Sequence, residues 1–350
     1  LQQHIREIVT CKINFRLASL ADHHHSVLSL GEPFCSPTFC PLYLYPMNSK
    51  SLRSFVLWSL ALACAATLPA QEARLANLAT RGQTGTGAQV LTAGFVIGPG
   101  PDKQVVIRAI GPTLSAFGLS GLLADPFLTL INATTQATVA TNDNWLPADA
   151  ATMAAAGAFA LPANSKDAVI VATLAPGAYT AQISGVGGTT GLTIAEVYEV
   201  GGTGAKLINI SSRGPVGTGA NVMIPGIVVA RGTGNRKFLV RAAGPALAAF
   251  GLTGTLPDPQ IVVTNAEGTL TYASNNDWGT PVGLGASTAA QLTSSFTANG
   301  AFAFAPGSKD AALTVDLAAG NYTIAVSGVG GTSGLAIGRA SCRERASSPV

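Results

Sequence analysis

Residues 174–200 read LAPGAYTAQISGVGGTTGLTIAEVYEV, and residues 317–337 read LAAGNYTIAVSGVGGTSGLAI. In both, Tyr, Ala and Ile or Val fall at alternate positions. Successive side chains of a strand point to opposite faces, so this period of two marks a half-buried strand. The glycine-rich GVGGT that follows marks a turn, and the apolar run after it marks a second strand. The surrounding chain has the same texture of short β-branched runs bounded by Gly, Pro, Asn or Asp. Strands are predicted near 74–80, 89–97, 104–110, 127–133, 136–141, 157–161, 168–174, 178–184 and 191–199. The one helical candidate is a short turn at Thr113–Phe117, after Gly-Pro. The fold class is therefore all-β: an antiparallel two-sheet sandwich of jelly-roll or immunoglobulin-like kind.

The two quoted stretches belong to a tandem duplication. RLANLATRGQTGTGAQVLTAGFVI (74–97) aligns with KLINISSRGPVGTGANVMIPGIVV (206–229). VVIRAIGPTLSAFGLSGLLADP (105–126) aligns with FLVRAAGPALAAFGLTGTLPDP (238–259). TNDNW (141–145) matches SNNDW (274–278), and GAFALPANSKDA (157–168) matches GAFAFAPGSKDA (300–311). The offset grows from 132 to 133 to 143, which places one inserted residue near Gly232 and ten between Trp278 and Gly300. Two sandwich domains are expected, at 74–200 and 206–337. The match ends at Ile337. Repeat 1 continues AEVYEV, whereas the second copy continues GRASCRERASSPV. Residues 337–345, IGRASCRER, resemble an in-frame translation of a common sequencing adapter. On that reading 338–350 is a foreign tail, repeat 2 lacks its last strand, a neighbouring edge is left unpaired, and Cys342 carries no role.

The ends differ from the middle. Residues 1–46 have no starting Met and no periodicity, and read as translated upstream sequence; a metal tract at His23–His25 is the rival reading. From Met47 a basic start (Lys50, Arg53), an apolar run Phe55–Ala66 and small residues to Ala70 describe a secretory signal peptide, 47–70. The run is too short to span a bilayer, so no membrane span is expected after cleavage. Lipidation at Cys64 is a minor alternative.

Composition narrows the chemistry. The formal net charge is +3, yet residues 72–337 hold twelve Lys and Arg against thirteen Asp and Glu, a net −1. No basic patch supports nucleic-acid binding. All four His and four of the five Cys precede residue 72, and the fifth is Cys342. Residues 72–337 thus offer no thiolate, no imidazole and no disulfide. Two-carboxylate hydrolysis survives that exclusion, but the Asp residues come as duplicated singles. Ser165 and Lys166 are neighbours whose side chains point apart. The chain is expected to be no enzyme and to need no cofactor.

The second half of each repeat, carried by the two opening stretches, resembles the bacterial pre-peptidase C-terminal domain, a secreted β-sandwich. The whole repeat, with its GTG, R-A-x-GP, FG, DP, N-D-N-W and SKDA motifs, resembles a module of large predicted secreted proteins of environmental bacteria. The resemblance implies an extracellular or cell-surface accessory role and carries no established catalytic residues. A cell-surface glycan or protein is the expected partner.

The GTG (85–87, 217–219) and GVGGT motifs lack a helix and a lysine after them, and read as turns rather than phosphate loops. Arg108 and Arg241 lie inside strands and require partners. Asp125 and Asp258, duplicated with them, are the expected carboxylates of a bidentate clasp; an acidic ligand is the alternative. Asp143 and Asn144, with Asn276 and Asp277, are either turn caps or weak Ca²⁺ ligands, since only one carboxylate stands in each copy. Trp145 and Trp278 either pack on the core or stack on a sugar ring. Lys166-Asp167 and Lys309-Asp310 read as exposed turn charges.

Overall fold

Among the described residues sixteen strands follow one another in the order the duplication dictates. The computed structural model describes residues 74–201, 204–230 and 234–342. Repeat 1 supplies β1 (Arg74–Thr84), β2 (Leu91–Ile97), β3 (Lys103–Ile110), β4 (Pro126–Asn132), β5 (Thr138–Asn142), β6 (Ala168–Leu174), β7 (Gly177–Gly185) and β8 (Gly191–Glu199). Repeat 2 supplies β9 (Leu207–Val216), β10 (Ile224–Ala230), β11 (Arg236–Ala243), β12 (Pro259–Asn265), β13 (Thr271–Asn275), β14 (Ala311–Leu317), β15 (Gly320–Gly328) and β16 (Gly334–Ser341). The segments 1–46 and 47–70, the insertion near Gly232 and residues 343–350 lie outside the described residues.

Each repeat folds as two four-stranded antiparallel half-sheets, in the orders 1-8-3-6 and 2-7-4-5 for repeat 1 and 9-16-11-14 and 10-15-12-13 for repeat 2. That is the strand order of a jelly roll. The repeats are not separate sandwiches, which corrects the expected two-domain division. β1 pairs with β10 and β9 pairs with β2, so the half-sheets join into two continuous eight-stranded sheets. We call the sheet containing β1 the first sheet and the one containing β9 the second. A single apolar core lies between them and takes residues from both repeats, among them Leu78, Phe95, Val197, Ile210, Ile227 and Phe238. Burying the β1 and β9 edges removes unpaired backbone groups from both repeats at once.

The strand predicted at 157–161 does not form. Residues 145–161 instead cross over the outer face of the half-sheet 1-8-3-6, with a short helix α1 (Ala150–Ala155). Met153, Ala158 and Leu161 bury themselves there against Val106, Ile110 and Tyr198. An apolar run without long alternation suits a strand or an irregular cover equally. In repeat 2 the ten inserted residues lengthen this crossover, and a ten-residue helix α2 (Ala289–Ala298) opens on a reciprocal capping box between Thr288 and Gln291. Leu292 and Phe296 press it onto β11 and β14.

The truncated last strand is also corrected. β16 runs to Ser341 between β11 and β9, and Ala340, Ser341 and Cys342 are buried. A ladder of backbone hydrogen bonds needs no particular side chain, so Gly338–Ser341 occupy the place of Ala195–Tyr198 although their chemistry differs.

Candidate functional site

The duplicated motifs converge under each crossover. The first residue of NDNW locks the start of β6. The Asn142 Oδ1 accepts from Val169 N at 3.0 Å while its Nδ2 donates to Asn144 O at 2.9 Å. Asn275 repeats this with Ala312 N at 3.0 Å and Asp277 O at 3.1 Å. The sequence reading singled out the next two residues of the motif and missed these; the signal was their invariance between the two copies.

Asp167 and Asp310 are not exposed turn charges; both are fully buried. Asp167 accepts from Gly111 N at 2.7 Å, from the Thr113 hydroxyl and from Ser165 Oγ at 2.6 Å. Asp310 accepts from Gly244 N at 2.7 Å, Ala246 N at 3.2 Å and the Ser308 hydroxyl. Each carboxylate thus ties SKD to the Gly-Pro turn. That turn needs glycine for space, since a Cβ on Gly111 or Gly244 would sit 2.1 Å from a carbonyl oxygen. The lysines of the motif alone face solvent. Lys166 bonds Asp125, and Lys309 reaches Asp277 at 3.0 Å. Lys166→Ala should accordingly leave the melting temperature within error, because an exposed pair is screened and entropically costly. A resolvable fall would contradict this.

The expected clasps, Arg108 with Asp125 and Arg241 with Asp258, do not form. Arg108 points to the outer face of the first sheet, under the crossover, whereas Asp125 precedes β4 in the second sheet. The true partner of Arg108 is Glu196, directly across on β8. Both residues are fully buried, with Nε–Oε2 at 2.8 Å and Nη2–Oε2 at 2.5 Å. Phe159 O accepts from Nη1 at 2.6 Å, and the Tyr198 hydroxyl donates to Glu196 Oε1 at 3.0 Å. Burial alone would push the guanidinium down; Glu196 more than offsets it, and the pKa is raised. Burial and the Glu196 charge push the Tyr198 hydroxyl well up.

Arg241 occupies the equivalent place in repeat 2, but the residue across from it on β16 is Arg339. Among the described residues no carboxylate lies within ion-pair distance of Arg241. Its Nη2 donates to Phe302 O at 2.7 Å, while Nε and Nη1 are buried without a partner. Three rings surround the charge, with the guanidinium carbon 3.9 Å from the Phe304 centroid, 4.3 Å from Phe302 and 4.4 Å from Phe296. Burial, and then Arg339, lower its pKa to about 10. Arg339→Glu should restore the pair of repeat 1 and raise stability by about 1.5–3 kcal/mol, the net worth of hydrogen bonds to a charged group. Denaturant unfolding checks it, and no gain would contradict the mismatch.

The remaining candidates separate. Asp143 and Asn144 are exposed, and Asp277 is held by Lys309. The two carboxylates of the proposed Ca²⁺ loops are not even equivalent: Asp143 aligns with Asn276 and Asn144 with Asp277. Among the described residues no group of three or more acidic, His or Cys side chains is placed to hold a metal. Trp278 is 7% exposed and packs on Phe296 and Phe304, with Nε1 donating to Ala305 O at 3.2 Å. It offers no face for stacking. Trp145 is half-buried, with Nε1 on Pro162 O at 3.1 Å.

Because each crossover covers one half of a sheet, the other half stays open. On the first sheet the outer face of β10, β12 and β15 forms a groove of about 640 Å³ lined by Val228, Val262, Thr264, Thr323, Ala325 and Arg81. The duplicated position on the second sheet holds a smaller hollow of about 290 Å³ with Thr92, Thr180, Gln182 and Arg213. No helix among the described residues is long and apolar enough to cross a membrane. No family model and no curated protein matches the chain.

Proposed function

We propose that the chain is a non-catalytic, secreted structural module, a spacer or adhesive unit of an extracellular or cell-surface protein. The observation that supports this is where the duplicated polar motifs go. Asn142, Asp167 and Trp145, with Asn275, Asp310 and Trp278, each hold a crossover or a turn onto the sheets. Duplication that preserves such bonds preserves a scaffold. The segment Met47–Ala70 supports export. Expression from Met47 in a Gram-negative host should give a product outside the cytoplasm that starts near Gln71, read by N-terminal sequencing. A soluble cytoplasmic product retaining Met47 would overturn export.

A second reading, a glycan-binding or Ca²⁺-dependent accessory module of a longer hydrolase, is supported by half-exposed Trp145 beside Asp143 and Asn144. Oligosaccharide titration tests it by fluorescence, with buried Trp278 as an internal reference. A saturable change, lost in Trp145→Phe and absent without Ca²⁺ if the loop ligates it, would favour this reading over the scaffold.

A further inference from the structure

The surface that joins the two repeats is the same surface on both. Arg81 pairs with Ile224, Ala79 with Gly226, Leu78 with Ile227, and Asn77 with Val228. Exchanging each residue for its duplicate gives Arg213 with Thr92, Ser211 with Gly94, Ile210 with Phe95, and Asn209 with Val96, which are the pairings observed between β9 and β2. Even the register shift recurs, after Leu75 in β1 and opposite the duplicated position in β9. On the axis a residue meets its own duplicate. Thr80 Oγ1 and Ser212 Oγ, 132 positions apart, lie 2.5 Å from each other and are buried. A contact in which i meets j and j meets i is isologous, the form taken by twofold dimers of identical subunits. It buries strand edges and core residues that a lone repeat would expose.

We infer that the edge carried by β1 and β2 docks a second copy of the same repeat, so that repeats from separate chains pair across it in the twofold geometry seen within one chain. The inference is independent of the export and scaffold reading, which concerns what the paired module is for.

The test uses the whole protein with a protease site placed between Gly201 and Gly204 and cut after folding. On cutting, the two halves should stay together at the full mass by size-exclusion chromatography. When the cut protein is unfolded in denaturant and refolded, native mass spectrometry should find repeat 1 paired with repeat 1, and repeat 2 with repeat 2, beside the original pair. Separation into monomers on cutting, or refolding to the original pair alone, would overturn the inference. A second variant separates docking from refolding yield. Thr80→Asp puts two carboxylates on the axis of a repeat 1 homodimer but only one against Ser212 in the original pair. It should lower the homodimer at least tenfold relative to that pair, and an unchanged ratio would equally overturn the inference.

Discussion

Arg108→Ala is expected to destabilise the protein by about 3–5 kcal/mol, because it leaves Glu196 charged, buried and without its partner. Glu196 is fully buried, and its remaining contact is the Tyr198 hydroxyl. The same substitution class has a different sign at the duplicated site. Arg241→Met removes a buried charge that faces Arg339 rather than a carboxylate, and Met fits among three phenylalanine rings. It should be neutral or stabilising, as replacement of buried charge by apolar volume often is. Denaturant unfolding at neutral pH gives both values. Equal losses at the two arginines would show that aromatic contact, not the carboxylate, holds these charges. A further check is the double variant Arg108→Ala, Glu196→Ala, which should cost less than the sum of the single changes.

Trp278→Ala is expected to cost about 3–5 kcal/mol, the range for truncating a buried aromatic side chain. The ring is wedged between Phe296 and Phe304, and its loss also strands Ala305 O. Trp145→Ala should cost distinctly less, since Trp145 is half-buried and lacks the α2 rings around it. Circular dichroism follows both, as the fluorophore is removed. A loss at Trp278 no larger than at Trp145 would mean that the repeat 2 crossover collapses over the gap.

The alternation in AYTAQIS and NYTIAVS, the turns and the duplication located strands β1–β15 closely enough to give the fold class, while β16 was read as lost. Pairing between repeats was not legible, because a duplicated edge looks alike whether it faces its own repeat or the next. The arginine partner was hidden for a related reason. A search for carboxylates duplicated alongside the arginines favours Asp125 and Asp258, whereas the partner, Glu196, has an arginine at its duplicate position. Finding it requires knowing that the third and eighth strands are neighbours, which is a property of topology rather than local pattern. Asp167 misled because Ser-Lys-Asp has the polarity of a surface turn, and only the Gly-Pro turn folding back onto it creates its burial. Helix α1 had a signal, the alanine-rich run at 150–156, that yielded to an all-β expectation.

The edges of the two sheets are β13 and β6, and β14 and β5; the first and last strands among the described residues, β1 and β16, lie inside, each between two neighbours. A pull applied at Arg74 and Ser341 therefore has no outer strand to peel away one bond at a time. The tension enters two interior strands and has to slide each past two ladders at once, with the shared core resisting behind them. A fold built this way holds its length until many bonds yield together, and then lengthens abruptly.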